Sequence, residues 1–472
     1  MSQLHAFFVP FMAQGHMIPL VDMAKLFASR GVKVTIISTP FFAERIKATI
    51  SQESGMDIGL TVIRYPDPKS GLPDHVGSLD LVNTEELGSQ FAKALGMMQE
   101  PFEELVQEFK PDFIVSDMFF YWSVDSAAKF NIPRLIFNVT CCLSLCGVEL
   151  MLRHKPFKNV SSDSEWFSVP DLPHKFEFLR TQINPEDFEE QDTELSRLIK
   201  KVRESDRRSY GALVNSFYEL EPEYSDYYRT VLGRRSWSIG PLFLCNSGNN
   251  EGKGHRGKKS GVDAGKWKSW LDSKEPGSVV YACFGSLASF TDAQLHELGI
   301  GLEASGQDFL WVLRKRDEDE IEDWMPEGFE ERTKDKGLII RGWVPQLTIL
   351  NHPAIGAFLT HCGWNSTLEG ICAGVPLVTW PVFAEHFFNE KFVTDVLRTG
   401  ASVGNKIWRT VGSEGVESEA VATAVRQVMV GEDVEEIRSR AKKLKELAIK
   451  AVGEGGSSYN NLSALIEELS KR

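Results

Sequence analysis

The sequence predicts an α/β protein made of two Rossmann-like domains that face each other across a cleft. Three observations support this fold class. The chain has 472 residues, too many for one hydrophobic core. Each half contains short apolar strands that alternate with amphipathic helices. A stretch rich in Gly, Ser, Asn and Lys separates the halves, which is typical of a linker.

The N-terminal domain is predicted to span residues 1–245 and to open with a strand, a loop and a helix. Leu4–Val9 is an apolar strand, His16–Arg30 is an amphipathic helix, and Lys33–Ser38 is the second strand. This order favours a parallel sheet with right-handed crossovers. Ligands of such sheets bind at the carboxyl ends of the strands, and His16 lies at that edge.

Two later strands of this domain end in polar residues. The predicted strand 112–116 leads into Asp117, and the strand 134–138 leads towards Thr140. The stretch 157–192 is rich in Pro, Phe and acidic residues, and we expect loops and short helices that cap a pocket. A histidine at a helix start favours the neutral imidazole that a general base requires, and Asp117 is a candidate orienting partner. Spacing alone leaves open the alternative in which His16 caps its helix and never meets Asp117.

Residues 246–262 are the predicted linker, and residues 263–452 the second domain. Its predicted elements include the strand Val279–Cys283, followed by a turn of small residues that contains Ser286, and the helix Asp292–Ala304. We expect the last helix, within residues 453–472, to pack back on the N-terminal domain.

The stretch 354–376 predicts a strand, a tight turn, a helix and a further strand. Ser366 and Glu369 stand three apart, the spacing of a capping box, and Gly374 with Pro376 ends the helix. Val375–Val382 is the next predicted strand. A turn that leads into a helix presents unpaired N–H groups and a positive dipole end, which together make a phosphate site. His361 and Asn365 add donors there, while this turn contains neither a Gly-x-Gly-x-x-Gly nor a Walker lysine.

Composition narrows the classes of function. The net charge of −14 argues against nucleic acid or an anionic membrane as a partner. Seven scattered cysteines favour a reducing compartment and argue against a disulfide framework. No signal peptide or membrane span is predicted, so we expect a cytoplasmic protein without membrane insertion. Asp317-Glu318-Asp319 fits an Asp-x-Asp metal motif, but it lies in a mixed charge run that favours a solvated loop.

The stretch 343–386 resembles the signature box of plant family 1 UDP-glycosyltransferases. The joint match is specific and lies at Trp343, Gln346, His361, Gly363, Trp364, Asn365, Ser366, Glu369 and Glu385. The resemblance implies a GT-B fold that binds an acceptor with its N-terminal half and a UDP-sugar with its C-terminal half. It also implies His16 as the catalytic base and Asp117 as its partner. No cofactor or metal is expected, and a monomer is expected.

The resemblance also assigns donor contacts. It places Trp343 on the uracil base, Glu369 on the ribose, and Trp364, Thr140, Glu385 and His386 on the sugar. Without the resemblance, a core tryptophan is the plainer interpretation of Trp343, and helix capping that of Glu369. The full set of predicted UDP-sugar contacts is Gly15, Thr140, Ser286, Trp343, Val344, Gln346, His361, Gly363, Trp364, Asn365, Ser366, Glu369, Glu385 and His386.

The implied activity is inverting transfer of glucose from UDP-glucose to a hydrophobic plant secondary metabolite. The resemblance is to the group that acts on flavonoids, triterpenoids and steroids. Many glucosyl-transferring members have glutamine where this chain has His386, so UDP-galactose is the alternative donor. A silent UDP-binding or hormone-binding protein is a second alternative, and the presence of His16 and Asp117 argues against it. A cysteine hydrolase using His361 and Cys362 is a third, but adjacent residues do not readily form a nucleophile–base pair.

Overall fold

The computed structural model describes residues 3–51, 55–185, 193–244, 264–313, 324–409 and 415–472. The predicted linker 246–262 and the run Asp317–Asp319 lie outside these residues. Contacts divide the chain into two compact units, which we call unit 1 and unit 2. Unit 1 comprises residues 1–142, 190–257 and 450–472, and unit 2 comprises residues 143–189 and 258–449.

The described residues contain fifteen strands. In chain order they are β1 His5–Val9, β2 Lys33–Ser38, β3 Ile58–Val62, β4 Phe113–Asp117, β5 Arg134–Asn138, β6 Phe167–Ser168, β7 Glu177–Phe178, β8 Gly211–Val214, β9 Ser236–Ser238, β10 Val279–Cys283, β11 Asp308–Leu313, β12 Gly337–Arg341, β13 Ile355–Thr360, β14 Leu377–Thr379 and β15 Gly400–Ser402.

The α-helices of the described residues lie between and after these strands. They are Gln14–Ala28, Pro40–Ile50, Glu85–Met97, Gln99–Phe109, Ser123–Lys129, Cys142–His154, Glu194–Arg208, Pro222–Thr230, Ala264–Asp272, Asp292–Ala304, Phe329–Thr333, Gln346–Leu350, Trp364–Ala373, His386–Lys391, Ser418–Val430, Val434–Val452 and Ser457–Ser470. A π-helical turn, Phe392–Val396, directly follows His386–Lys391. No helix in this part of the chain combines the length and apolarity needed to cross a membrane.

Unit 1 is built on a parallel sheet of seven strands in the order β3-β2-β1-β4-β5-β8-β9. Its central strands β1, β4 and β5 are buried along their whole length. The last helix, Ser457–Ser470, belongs to this unit: Asn461 Nδ2 donates to the Ser238 carbonyl at 2.9 Å, and Leu465 is fully buried in the core. The last helix thus contributes to the core on which the sheet of unit 1 packs.

Unit 2 is built on a parallel sheet of six strands in the order β12-β11-β10-β13-β14-β15. The segment 143–189, which contains the small antiparallel pair β6 and β7, packs with this unit. Trp408 N–H donates to the Thr181 carbonyl at 2.8 Å. The predicted domains 1–245 and 263–452 follow chain order, whereas the units follow contacts, so those domain bounds stay a prediction.

The α/β fold class with parallel sheets is confirmed, and several predicted strands match closely. The predicted strand Val375–Val382 is wrong in length, because the strand is only Leu377–Thr379. Proline lacks a backbone N–H, and the prolines at 376 and 381 flank this shorter strand. The helix stop at Gly374 is confirmed, since that residue has the left-handed φ of 72° that glycine tolerates.

Candidate active site

The first candidate cluster lies at the carboxyl edge of the sheet in unit 1. His16 is in the first turn of its helix, and Asp117 is the last residue of β4. Nδ1 of His16 lies 2.7 Å from Oδ2 of Asp117. The alternative in which these two residues never meet is therefore wrong.

The two members of this pair differ in burial. The Asp117 side chain has no exposed surface, whereas 18% of the His16 side chain is exposed. A carboxylate only accepts hydrogen bonds, so Nδ1 of His16 carries the proton and donates it to Asp117. The lone pair on Nε2 is then the basic site of the ring. A base held by a buried carboxylate is the arrangement of a general-base dyad.

Aromatic rings lie beside this imidazole. The ring centroids of Phe11 and Phe119 are 5.3 Å and 5.6 Å from that of His16. The backbone N–H of Phe119 donates to Oδ1 of Asp117 at 3.1 Å. The Asp117 carboxylate thus orients both the imidazole of His16 and the backbone of the aromatic residue Phe119. A polar ring edge beside aromatic faces suits a hydrophobic molecule that carries a hydroxyl group.

A buried arginine supports the end of β4 that carries Asp117. Arg134, at the start of β5, is 2% exposed and donates to the Asp117 carbonyl at 3.3 Å and to Ser116 Oγ at 2.8 Å. Burial lowers the pKa of Arg134 to about 10, and the carboxylates of Asp206 and Asp117 oppose that shift. Arg134 therefore remains charged at neutral pH and both braces the strand end and places a positive charge near the dyad.

Unpaired polar atoms occur at the same sheet edge. Both amide atoms of Gln14, Nδ2 of Asn138 and Oγ1 of Thr140 are buried without a hydrogen-bond partner among the described residues. Leaving a buried polar atom unpaired costs about 1–3 kcal/mol, so such atoms deserve a functional explanation when they cluster. Gly15, between Gln14 and His16, is partly buried.

The second candidate cluster follows β13 in unit 2, where His361, Cys362 and Gly363 form the turn into helix Trp364–Ala373. Cys362 has a left-handed φ of 65°, which residues other than glycine rarely adopt. Asn389 stabilises this turn, because its Nδ2 donates to the Cys362 carbonyl at 2.8 Å.

The His361 ring is confined by two glycines. A β-carbon at Gly285 would lie 2.7 Å from Cε1 of His361, and one at Gly363 would lie 2.5 Å from Nε2. Burial lowers the pKa of His361 to about 4, so the ring is neutral at pH 7 and offers one N–H donor rather than a charge. Ser286 follows Gly285 on the same loop after β10.

The helix after this turn begins at Trp364, with Gly363 as its N-cap. Ser366 is therefore the third helical residue, and the predicted capping box of Ser366 and Glu369 is wrong. Gly363 has no side chain to cap the helix, so the first-turn N–H groups keep their capacity to bind an anion. Asn365 adds its amide to this turn, whereas Trp364 is 2% exposed and packs near Phe392.

A third group of predicted residues forms one hydrogen-bonded cluster around Gln346. Its Nε2 donates to Glu369 Oε2 at 2.8 Å and to Ser366 Oγ at 3.1 Å. Tyr281, a residue that sequence reasoning missed, donates its hydroxyl to Gln346 Oε1 at 3.3 Å. The neutral amide of Gln346 thus orients the Glu369 carboxylate, a group capable of binding a vicinal diol. Trp343 and Val344 lie on the loop just before, Trp343 half-buried and Val344 buried.

Glu385 and His386 lie beyond β14, at the start of helix His386–Lys391. Nδ1 of His386 faces the backbone N–H groups of Val382 at 3.4 Å and Phe383 at 3.3 Å. Burial and the nearby His361 hold the pKa of His386 well below its usual value. The ring is therefore neutral with its proton on Nε2, and that edge is a donor only.

The structure brings the predicted residues together in two groups. In unit 1, His16 contacts Asp117, with Gly15 and Thr140 at the same sheet edge. In unit 2, the turn 361–363 follows β13, the loop with Gln346 follows β12, and the pair Glu385–His386 follows β14, all strands of one sheet. The residues that sequence reasoning missed are Arg134, Tyr281 and Asn389. In the sequence, each of these three is only a polar residue inside or beside an apolar segment, which does not by itself indicate a role.

Two α/β units with parallel sheets, a hydrogen-bonded His–Asp pair in one and a helix start without a side-chain cap in the other, are the features expected of a glycosyltransferase of the GT-B class. The family model described as "UDP-glucoronosyl and UDP-glucosyl transferase" matches residues 247–442. This chain belongs to that family and is a UDP-glycosyltransferase.

Relatives and a solved structure support this assignment over the full length. A scopoletin glucosyltransferase of Nicotiana tabacum is 56% identical over 474 residues, covering 100% of this chain and 98% of the relative. An anthocyanin 3'-O-beta-glucosyltransferase of Gentiana triflora is 51% identical, covering 100% and 99%. The crystal structure of Glycyrrhiza uralensis UGT73P12 complexed with glycyrrhetinic acid 3-O-monoglucuronide matches with a TM-score of 0.92 and 40% identity, covering 100% of this chain and 96% of that one.

Proposed function

We propose that this protein is an inverting O-glucosyltransferase that transfers glucose from UDP-glucose to a hydroxyl group of a hydrophobic plant secondary metabolite. The observation that carries the proposal is the 2.7 Å hydrogen bond between His16 Nδ1 and Asp117 Oδ2. A silent binding protein has no need of a base held in this way. The alternative that the chain only binds a UDP-sugar or a small molecule is therefore less well supported.

The proton transfer is assigned to Nε2 of His16. As the acceptor hydroxyl gives its proton to Nε2, its oxygen forms a bond to the anomeric carbon of the sugar. The bond from that carbon to the diphosphate oxygen breaks, and UDP leaves with the electron pair. Attack opposite the leaving group inverts the configuration, so an α-linked donor gives a β-glucoside. Asp117 stabilises the imidazolium that forms, as an orienting carboxylate does in other base dyads.

The donor is assigned to the residues of unit 2. Glu369, held by Gln346, binds the ribose hydroxyls, and Trp343 stacks on the uracil. The first turn of helix Trp364–Ala373 and the neutral His361 bind the diphosphate. Preorganised dipoles that stabilise a departing anion usually supply the largest electrostatic contribution. This binding mode uses no metal ion, and the same residues bind the diphosphate before and after transfer.

Two observations narrow the class of acceptor: the aromatic rings beside His16 and the compounds named for the relatives. Phe11 and Phe119 beside His16 favour a flat or ring-rich aglycone. The relatives are named for scopoletin and an anthocyanin, and the similar crystal structure contains a triterpenoid glucuronide. We therefore propose phenolic aglycones first, with flavonoid, triterpenoid and steroid compounds as the wider class.

The experiment is a donor and acceptor panel with the purified protein. UDP-glucose and UDP-galactose are each offered with a hydroxycoumarin, a flavonol, a triterpenoid and a sterol, with and without EDTA. We expect UDP release with glucose on at least one phenolic acceptor, a β-anomer by NMR, and unchanged rates in EDTA. UDP binding without transfer to any acceptor would favour the silent binding protein. Loss of activity in EDTA that Mg²⁺ restores would contradict the metal-free assignment.

The proposal also includes the compartment and the oligomeric state of the enzyme. We place the enzyme in the cytoplasm as a monomer, where UDP-sugar and the aglycone meet it in solution. A size-exclusion profile of the purified protein and a fluorescent fusion in plant cells test these two points independently of the reaction.

A further inference from the structure

Asn389 lies on helix His386–Lys391, one turn after Glu385, and its side chain is fully buried. Neither the sequence pattern nor the proposed reaction uses this residue. Its amide nevertheless contacts two parts of the donor site and one neighbouring helix.

Three hydrogen bonds use both ends of the amide. Nδ2 donates to the Cys362 carbonyl at 2.8 Å and to Oε1 of Glu385 at 3.4 Å. Oδ1 accepts from Ser144 Oγ at 2.9 Å. An amide nitrogen has two hydrogens, one for each of these acceptors, and Ser144 fixes which end of the amide faces which neighbour.

The two acceptors of Nδ2 are the groups whose orientation the donor site requires. Cys362 has a positive φ in the turn that carries His361 and Gly363, a conformation that persists only when its surroundings hold it. Glu385 is half-buried at the start of the helix, and its carboxylate accepts the bond from Asn389 that bears on its orientation. We propose that Asn389 is a positioning residue that orients both the diphosphate-binding turn and the sugar-binding carboxylate. This role rests on the proposed function, because the ligands of the turn and of Glu385 are assigned there.

The next residue on the same helix attaches it to the sheet separately. Glu390 accepts from Thr379 Oγ1 and from Ser402 Oγ, both at 2.9 Å, at the ends of β14 and β15. The helix therefore remains attached to the sheet when the Asn389 amide is removed. Variants of Asn389 therefore test the orientation of Cys362 and Glu385 apart from the attachment of the helix to the sheet.

The test compares Asn389→Asp and Asn389→Ala with wild type in donor kinetics and in UDP binding by calorimetry. Aspartate keeps the acceptor for Ser144 but places carboxylate oxygens against the Cys362 carbonyl and Glu385. We expect the donor KM and the UDP Kd to rise ~10- to 100-fold, the effect of unpairing buried acceptors, while the acceptor KM changes little. A loss of folded protein would lower kcat alone. Wild-type values of donor KM and UDP Kd in both variants would overturn the proposal.

Two further variants make the outcome decisive. Ser144→Ala keeps Asn389 but removes the bond that orients its amide, and we expect the donor KM to rise ~3-fold. If the Asn389 variants do not fold, an unchanged donor KM in Ser144→Ala overturns the proposal. Ser402→Ala is the matched control, since it removes one bond from the same helix without touching Glu385 or Cys362, and should keep the wild-type donor KM.

Glu385→Ala separates this proposal from the proposed function. We expect that variant to raise the donor KM without changing UDP affinity. If Glu385→Ala behaves like wild type, the assignment of the sugar to Glu385 is wrong. If Glu385→Ala loses donor affinity while the Asn389 variants do not, only the positioning role of Asn389 is wrong.

Discussion

The dyad in unit 1 and the turn in unit 2 both lie at the carboxyl edge of a parallel sheet, but they differ in charge. The dyad is built with charged groups, and the turn is built with neutral ones. The dyad has an imidazole against a fully buried carboxylate, with the cationic Arg134 bonded to the end of β4. The turn has neutral groups: a histidine whose pKa burial lowers to about 4, a helix start and amides. The sheet edge is the shared scaffold, and the side chains decide the chemistry.

This difference follows from what each region is proposed to do. A base changes its protonation state during the reaction, so it needs a carboxylate that stabilises the charged form. A site for UDP binds the same anion before and after transfer. Fixed dipoles can bind that anion throughout, and the site needs no proton transfer. Substitutions in the dyad and substitutions in the turn should therefore change different kinetic constants.

The largest effect is expected for His16→Ala. Loss of a general base costs ~10²- to 10⁴-fold in kcat, while UDP affinity should stay near the wild-type value because the uracil, ribose and diphosphate are assigned to residues of unit 2. The measurement is steady-state kinetics with an alcohol acceptor, together with calorimetry of UDP. Asp117→Asn is the companion variant, since it keeps the shape but favours the tautomer with its proton on Nε2, which cannot accept the proton of the acceptor hydroxyl. Wild-type turnover in His16→Ala would exclude the dyad from the mechanism.

A smaller effect on the other region is expected for Gly285→Ala. The new β-carbon would lie 2.7 Å from Cε1 of His361, and the backbone there has a φ of 71°. Displacing His361 should raise the donor KM ~10-fold and leave the acceptor KM unchanged, in line with ~1–2 kcal/mol of strain and lost hydrogen bonding.

Gly306→Ala is the matched control for this variant. Gly306 has a φ of 73°, and its β-carbon would have no neighbour within 4 Å. The control carries the same backbone strain without touching His361. If both variants change the donor KM equally, backbone strain rather than the histidine explains the result.

The sequence predicted the parts of these regions that depend on local pattern. The strand Arg134–Asn138 and the helix Asp292–Ala304 match at both ends, because strong periodicity and clear end signals define them. The meeting of His16 with Asp117 is a tertiary contact between residues 101 positions apart. The residues alone left that contact open, and the family resemblance implied it.

Other features depend on burial and had no local signal. Ser366 and Glu369 have the spacing of a capping box, yet Gly363 starts the helix three residues earlier and both side chains turn to Gln346. Arg134 looks like a strand-end charge in the sequence but is buried. Asn389 follows two phenylalanines in a helix that also contains Glu390 and Lys391, and only its contacts reveal what it holds.

A pH effect on stability is expected from Glu390, a buried carboxyl in the donor region. Burial raises its pKa from 4.5 to about 7, against the hydrogen bonds from Thr379 and Ser402. The folded state therefore binds more protons than the unfolded state between these values. The free energy of unfolding falls as pH rises through this window, by up to ~3 kcal/mol.

Glu390→Gln should remove this part of the pH dependence. The measurement is the thermal unfolding midpoint at pH 5 and pH 8, and the difference between the two should be smaller in the variant than in wild type. Glu104→Gln, at an exposed position of unit 1, is the control and should keep the wild-type difference. An unchanged difference in Glu390→Gln would show that Glu390 does not titrate in this window.

The smallest expected effect concerns the choice of sugar by His386. Its Nδ1 accepts from the N–H groups of Val382 and Phe383, so only the Nε2 donor edge remains for a ligand. Glutamine presents both a donor and an acceptor. Glucose and galactose differ in the orientation of one hydroxyl, and misplacing a hydrogen-bonded hydroxyl costs about 1–3 kcal/mol.

His386→Gln should therefore raise the ratio of kcat/KM for UDP-glucose to that for UDP-galactose, by ~5-fold or more. The measurement is competition between the two donors with one acceptor, on wild type and variant. His352→Gln makes the same exchange just before β13, at the opposite end of the strand from the turn, and should leave the ratio unchanged. An equal ratio in wild type and His386→Gln would mean that His386 does not select the sugar, and the selection would then belong to Glu385, Trp364 or Thr140.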